Sequence, residues 1–385
     1  MNLKPEIAAM TGSLVAVRRD FHAHPEIAFE EVRTSKIIAD HLEQLGLEVQ
    51  RGIGKTGVVA DLRGGKPGKT VMIRADIDAL PITEQTSLAY ASGSAGKMHA
   101  CGHDGHASIA MHVASLFAKH QNDLAGNFRF VFQPAEEIVR GATAMLSDKP
   151  DLLTGVDAVV GLHLWNDKPV GWVGARVGAS FAAPDAFSVF IQGRGGHAAA
   201  PHQCVDPIII GSQIVLALQT LVSRETDPQA PSVISVCTII AGEGAFNIIP
   251  DSIELRCTLR TFDMDLRAKL QARIETLCSH TAIALGGSAR LEWKFGPPPV
   301  INDAALTERF RQVALGIVPS VDTPNPTMGG DDMAEFLARV PGVYFLVGSG
   351  AGYPHHHPKF DIDDIGSLPL ATELLASAAL EFAAS

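Results

Sequence analysis

The stretch TVMIRADIDALP, Thr70 to Pro81, opens on a run of apolar residues and closes on two aspartates and a proline. A strand with one wet face alternates apolar and polar residues, whereas a strand covered on both faces is apolar at nearly every position. GVVADL from Gly57, FRFVF from Phe128 and DAVVGLHL from Asp157 share that second pattern. Helical stretches such as HASIAMHVASLFAKH lie between some of them. Strands of this kind separated by helices imply an α/β fold with a mostly parallel sheet. Upstream, Ile7, Met10, Leu14, Val17 and Phe21 recur at helical spacing, and a second helix is expected from Glu31 to Leu45, closed by Gly46.

From Asp185 the character changes. Strand (DAFSVFIQG), helix (DPIIIGSQIVLALQTLVSRE), strand (SVISVCTIIAG), strand (SIELRCTLRTF), helix (DLRAKLQARIETLCSHTAIAL) and strand (ARLEWKF) follow one another. This is the β-α-β-β-α-β order of a ferredoxin-like unit, complete in itself. GPPPVIND then leads into another helix, and GVYFLVG from Gly342 reads as one more buried strand. The expectation is a discontinuous first domain over residues 1–183 and 297–385, with a second domain, 184–296, inserted into it. A length of 385 residues also fits two cores better than one.

Composition narrows the function. The chain carries a net charge of −11 and no Lys/Arg-rich run, which argues against nucleic acid and against an anionic membrane surface as partners. No signal-peptide pattern and no run of about 18 consecutive apolar residues appears, so a soluble, cytoplasmic protein is expected. Five widely spaced cysteines (Cys101, Cys204, Cys237, Cys257, Cys278) argue against a disulfide framework and for a reducing compartment.

The strand ends hold the chemistry. In open α/β sheets, ligands collect beyond the carboxyl ends of the strands. TVMIR ends in ADIDALP, FRFVF ends in QPAEE, DAVVGLHL carries His163 near its end, and GVYFLVG leads through a glycine-rich turn to HHHP. HACGHDGH, His99 to His106, begins a helix beside them. Cys, His and carboxylate side chains delivered together suit a divalent metal, which draws on soft and hard donors alike. Taken singly, each piece has a plainer reading: Cys101 as a small buried hydrophobe, Glu136 and Glu137 as a solvated helix start, HHHP as a polar surface turn. Only their joint arrangement at every strand end favours a metal centre.

FHAHPEIAFEE, RADIDALP, HACGHDGH, QPAEE, GLH, GRGGHAAAPH, NIIPD and HHHPKFDID together resemble the ordered motifs of the amidohydrolase branch of the aminoacylase and carboxypeptidase superfamily. The resemblance covers nearly the whole chain. It implies a dinuclear-metal catalytic domain, two divalent ions per subunit (Mn, Co, Ni or Zn), and an inserted lid domain that often mediates dimerisation, so a homodimer or homotetramer. Carried over by position, it makes Cys101, His103, Glu137, His163 and His356 the metal ligands, with Cys101 as bridging thiolate. Asp76 and Asp78 become groups that orient ligands. Glu136 resembles the family's general base, and His197 the lid histidine that supports the oxyanion, commonly from the partner subunit.

The implied reaction is hydrolysis of the amide bond of N-acyl amino acids such as hippurate, N-acetyl or indole-acetyl conjugates. Asn247 and Arg260 are candidates for binding the substrate carboxylate, although an arginine within a strand reads equally as a structural ion-pair partner. Where relatives often show MGGEDF, this chain has MGGDDM, so Asp331 stands for a glutamate and Met333 for an aromatic at what should be the rim of the site. Three rivals remain: a dipeptidase or carboxypeptidase on the same fold, a thiol hydrolase using Cys101, and a protein that only stores or senses metal. A carboxylate beside a ligand, as Glu136 is beside Glu137, has no use in pure storage.

Overall fold

The computed structural model describes residues 3–350 and 352–384. The chain divides into two compact units, one over residues 1–180, 300–326 and 331–385, the other over 181–299 and 327–330.

In chain order, the first unit begins with helices α1 (Leu3–Ala23) and α2 (Val32–Gln44) and strands β1 (Glu48–Ile53), β2 (Gly57–Arg63) and β3 (Lys66–Asp76). Helix α3 (His103–Lys119), β4 (Ala125–Gln133), α4 (Gly141–Asp148), β5 (Ala158–Trp165), β6 (Val173–Gly174) and β7 (Gly178–Phe181) follow. The second unit holds β8 (Ala183–Gln192), β9 (Gly196–His197), α5 (Pro207–Thr220), β10 (Ser232–Ala241), β11 (Ile248–Ile249), β12 (Ser252–Thr261), α6 (Met264–Ala284) and β13 (Ser288–Lys294). The chain then completes the first unit with β14 (Val300–Asn302), α7 (Ala304–Leu315), α8 (Ala334–Leu337), β15 (Gly342–Gly348) and α9 (Asp364–Ala383).

The first unit is built on a sheet of order β1-β2-β4-β3-β5-β15-β6. Its centre, β4-β3-β5-β15, is parallel. The outer pairings are antiparallel: β1 with β2, β2 with β4, and β6 with β15. Parallelism is thus confined to the strands joined by helical crossovers, because the short β1–β2 connection can only make an antiparallel pair. Those central strands are the ones that read as apolar throughout. Val71, Met72 and Ile73 of β3, Phe128, Phe130 and Phe132 of β4, and Val159 and Val160 of β5 are all buried. Phe117 of α3 packs on Phe128 with ring centroids 4.5 Å apart. Helices α3 and α9 lie against β3 and β5, and α1 packs on both helices. Helix α2 ends where glycine permits it: Leu45 is the C-cap and Gly46 takes φ +83°, the left-handed conformation that costs glycine least.

The second unit is a four-stranded antiparallel sheet of order β10-β12-β8-β13. Ile210, Ile214 and Leu218 of α5 and Leu270, Ile274 and Cys278 of α6 bury one of its faces. It is slightly wider than residues 184–296, and it gains Thr327–Gly330 because the Ala182 N–H donates to the Thr327 and Gly329 carbonyls at 3.1 and 2.9 Å. Helix α5 is apolar on its outer side too, with Ile208, Ile209 and Leu216 exposed. Two helical stretches, Pro207–Glu225 and Asp364–Ala383, have the length and composition of a membrane span, but Leu368, Leu374, Leu375 and Phe382 of the latter are core residues.

The turn between β4 and α4 brings backbone into close approach. A Cβ on Gly141 would stand 1.5 Å from the Pro134 carbonyl oxygen. Gly141→Ala is therefore expected to destabilise the protein by at least the ~1–3 kcal/mol of an overpacked site, seen as a lower urea midpoint.

Candidate metal centre

Three parallel strands end on one rim and bring side chains of different kinds together: β3 ends at Asp76, β4 at Gln133, and β5 carries His163. Helix α3 starts beside them with His103 as its first residue, preceded by Gly102 at φ +98°. That left-handed glycine turns the chain sharply enough for Cys101 and His103 to face the same space.

The donors form two overlapping triads. The ligand atoms of Cys101, His103 and His163 lie within 4.8 Å of one another, and so do those of Cys101, Glu137 and His356. Cys101 belongs to both, and its Sγ is 3.5 Å from His163 Nε2. His356 Nε2 is 3.3 Å from Glu137 Oε2. The other two histidines of HHHP are engaged elsewhere: His355 Nε2 donates to the Leu164 carbonyl at 3.0 Å, and His357 Nδ1 accepts the Lys359 N–H at 3.0 Å. His356 itself sits at φ +63°, a conformation costly for a residue with a Cβ. Its N–H is fixed on the Ala100 carbonyl at 2.8 Å.

Each imidazole is oriented by its second nitrogen. His103 Nδ1 meets the Asp78 carbonyl at 2.9 Å and its Oδ1 at 3.2 Å, so Nδ1 carries the proton. His163 Nδ1 donates to the Leu164 carbonyl at 2.7 Å, which leaves the Nε2 lone pair toward Cys101. Burial, with His106 and His355 nearby, holds His163 well below the usual imidazole range and therefore neutral. His106 was not assigned a role from sequence. Its Nδ1 is 2.6 Å from Asp76 Oδ1 and its Nε2 accepts the Leu164 N–H at 2.9 Å, so both nitrogens serve to tie β3 to β5. Burial pushes His99 down to about 3, so it too is neutral.

The fit to cations shows in what lacks a partner. His103 Nε2 and Glu137 Oε1 are buried with no hydrogen bond among the described residues. Burial and the Glu137 carboxylate hold the Cys101 thiol well above its ordinary range, although His103 opposes them. A divalent ion bound here would reverse that balance, since coordination deprotonates a thiol.

Glu136 is buried, and its carboxylate lies within 4.8 Å of the donor atoms of His103 and Glu137. Burial, then Asp331, Glu137 and Asp332, push its carboxyl well above the usual range. For Glu137 burial acts in the same upward direction, yet the hydrogen bond to His356 and the charge of His103 outweigh it and lower the group. The loop bearing both is not the solvated helix start that adjacent glutamates suggest; it is a turn in which Ala135 and Val139 adopt φ +53° and +49°. Asp78 Oδ2 accepts the Glu137 N–H at 3.0 Å.

Behind the rim lies a charged layer that sequence reading found only in part. Arg74, fully buried, meets Asp76 at 2.6 Å, Asp332 at 3.0 Å and Asp331 at 3.3 Å. An arginine inside an apolar strand was the available signal, because buried charges are paired. Asp331 also accepts the Met333 N–H at 2.8 Å. Met333 is 0% exposed and does not line a rim; a Cβ on Gly161 of β5 would meet its methyl at 3.2 Å, so it is core.

His197, Asn247 and Arg260 belong to the second unit. Strands β9 and β11 pair His197 with Ile248, which makes Asn247 its neighbour, and both residues are exposed. His197 Nδ1 accepts the Ala199 N–H at 3.0 Å, so the neutral ring presents Nε2–H as a donor. Arg260 makes no ion pair among the described residues. Its Nη1 donates to the Asp185 and Leu259 carbonyls at 3.0 and 3.1 Å, and burial lowers its pKa.

The model of the family described as Peptidase family M20/M25/M40 matches residues 72–381. N-acetyl-L-cysteine deacetylase of Bacillus subtilis (strain 168) is 40% identical over 372 residues, covering 97% of this chain and 89% of that protein. Thermostable carboxypeptidase 1 of Saccharolobus solfataricus is 37% identical over 371 residues, 94% of this chain and 93% of its own length. Among solved structures, a Bacillus subtilis protein described as a dinuclear metal binding peptidase from the M20 family superposes with a TM-score of 0.85 at 34% identity, covering 97% of this chain and 98% of that one.

The shared position of Cys101 has a chemical consequence that labelling can read. Iodoacetamide is expected to alkylate Cys101 slowly in protein purified without chelator and fast after prolonged chelation. Equal rates before and after would remove Cys101 from the donor set.

Proposed function

Because this chain belongs to peptidase family M20/M25/M40, whose model matches residues 72–381, we propose that it hydrolyses the amide bond of N-acyl amino acids, releasing a carboxylic acid and a free amino acid. The observation that carries this reading is the pair of donor triads sharing Cys101, with a buried carboxylate, Glu136, beside them. The acyl group would be that of a hippurate-like, N-acetyl or indole-acetyl conjugate.

Cys101, His103, Glu137, His163 and His356 would hold two divalent ions, and Asp76 and Asp78 would orient the histidines. The donor set is mixed in softness and suits Mn, Co, Ni or Zn. Such a pair supplies Lewis acidity, polarising the amide carbonyl and drawing the pKa of water from about 16 toward about 7. The chain's own residues supply the rest. Glu136 removes a proton from the attacking water and returns it to the departing nitrogen, which leaves as a free amine. Its raised affinity for a proton suits it to hold one between those two events. His197, through Nε2–H, donates to the oxygen that gains charge as the carbonyl becomes tetrahedral. Arg260, a cation with no carboxylate of its own, and Asn247 bind the substrate's carboxylate.

His197 is proposed to act from a partner subunit of a homodimer. The support lies in the second unit: β10 is an edge strand, and Ile239 and Ile240 on it and Ile208, Ile209 and Leu216 on α5 are exposed. Unpaired edges and apolar patches of this kind are what natural proteins cover. Residence in a reducing cytoplasm belongs to the same proposal, since Cys101 must remain a free thiol to act as a donor.

A carboxypeptidase is the second reading, favoured by the 37% identity to a relative of that name. N-acetyl-L-cysteine, hippurate and indole-acetyl-alanine assayed beside C-terminal dipeptides with Mn, Co, Ni and Zn separate the two. Turnover of dipeptides alone would select the second. Glu136→Gln should lower kcat by the ~10²- to 10⁴-fold typical of a lost general base while metal content by elemental analysis stays near the parent's. Near-normal rates, or an acyl adduct on Cys101 by mass spectrometry, would sink the mechanism. Mixing inactive His197→Ala with inactive Glu136→Gln should restore part of the activity through hybrid dimers, and a strict monomer by light scattering would exclude this.

A further inference from the structure

The loop that carries Glu136 is held by carboxylates from three separate segments. Glu31 Oε1 accepts the Ala135 N–H at 2.9 Å, Asp78 Oδ2 the Glu137 N–H at 3.0 Å, and Asp332 Oδ2 the Ala142 N–H at 2.9 Å. Asp78 also orients His103, and Asp332 also meets Arg74. Glu31 has no second task of that sort. It is 0% exposed, forms no ion pair among the described residues, and its other oxygen takes the Thr56 hydroxyl at 2.5 Å. Nor is it spent on starting α2. Glu31 occupies the N-cap position but makes no side-chain cap bond, whereas Glu26 accepts the Arg33 and Thr34 N–H groups at 3.0 and 2.8 Å. A fully buried carboxylate without a cation opposes folding, so its retention calls for a job.

We propose that Glu31 is a positioning residue for Glu136, acting through the Ala135 peptide; this rests on the reading of Glu136 as the base. Ala135 holds φ +53°, which a residue with a Cβ adopts only when its surroundings impose it. Its carbonyl accepts the Arg140 and Gly141 N–H groups, each at 3.2 Å, and its N–H is taken by Glu31. Fixing both sides of that residue fixes the direction in which the next side chain leaves the backbone. Without the Glu31 oxygen, Ala135 is free to relax toward the right-handed region and swing Glu136 away from the reacting atoms. The Asp78 carboxylate, which accepts the Glu137 N–H, keeps the Glu137 side of the loop in place.

The test uses the full chain with its metals, on whichever of N-acetyl-L-cysteine and hippurate it turns over. Glu31→Leu should lower kcat by about 10- to 100-fold, the cost of a misplaced catalytic group, with KM and metal content within about twofold of the parent. Glu31→Gln keeps a carbonyl oxygen for the Ala135 N–H and should hold kcat within about threefold. Adding Ala135→Gly to Glu31→Leu should recover part of the loss, because glycine reaches the left-handed region without help. A merely structural glutamate would show no such rescue, since glycine adds flexibility. Parental kcat in Glu31→Leu, or an equal loss in Glu31→Gln with no relief from Ala135→Gly, overturns the proposal. Should Glu31→Leu fail to fold, Thr56→Val decides: it frees one carboxylate oxygen at constant shape and should lower kcat severalfold, and an unchanged kcat overturns the proposal. Glu136→Gln run alongside separates the two ideas. Activity retained there ends both, whereas a dead Glu136→Gln beside a fully active Glu31→Leu ends only this one.

Discussion

Arg74 lies fully buried at the end of β3, paired with Asp76 at 2.6 Å and Asp332 at 3.0 Å, and it is the only Lys or Arg that ion-pairs with the site's acids among the described residues. Around it stand Asp76, Asp78, Glu136, Glu137, Asp331 and Asp332, with the Cys101 thiol beside them. Removing an ion from water costs several kcal/mol even after the protein relaxes, and one guanidinium cannot neutralise so many acids. Some of them respond by holding protons: burial pushes Asp332 up to about 7 despite Arg74, and burial with Asp331 and Glu137 pushes Glu136 well above the usual carboxylate range. Others stay low because His103, His106 and Arg74 hold them there, as with Asp76. The excess negative charge beside Cys101 and His103 suits this cluster to a cation.

Much of this was legible in the amino-acid sequence because it depends on local rules. The apolar runs of β3, β4 and β5 declare strands covered on both faces, and the position of Cys101 and His103 before an apolar helical stretch places them at its start. What stayed hidden depends on contacts between distant segments. Nothing local distinguishes His103, with a free Nε2, from His106, whose two nitrogens are spent on Asp76 and Leu164. Nothing local says that Glu31 reaches Ala135, more than a hundred positions away. The antiparallel flanks of the sheet were equally silent, because a buried strand reads the same whichever way its neighbour runs. Met333 misled for a related reason: one position after a pair of site carboxylates, it turns inward to the core.

The histidine-rich stretch from His99 to His106 divides its labour by burial and by partner. Asp104, next to the candidate ligand His103, belongs to none of the candidate donor groups among the described residues. It accepts from Arg18 of α1 at 2.8 Å and from His22 at 2.8 Å, and Arg18 meets Asp361 at 2.9 Å. Asp361 follows the HHHP run that bears His356. One buried guanidinium therefore ties the start of α3 and the chain after His356 to the same helix, so two segments distant in sequence that carry candidate donors share an anchor. Helical spacing predicted α1 from its apolar residues alone, and could not show that Arg18, on the buried side with Leu14 and Phe21, carries this link.

A thiol at the shared corner of the two donor triads would make metal loading a proton-coupled event. In the metal-free protein burial and the Glu137 carboxylate keep Cys101 protonated, and a protonated sulfur is a poor ligand. A cation bound through Cys101 would have to displace that proton. A bridging carboxylate, already ionised at neutral pH, would impose no such step. A sulfur donor there would disfavour Mg and Ca relative to later transition ions.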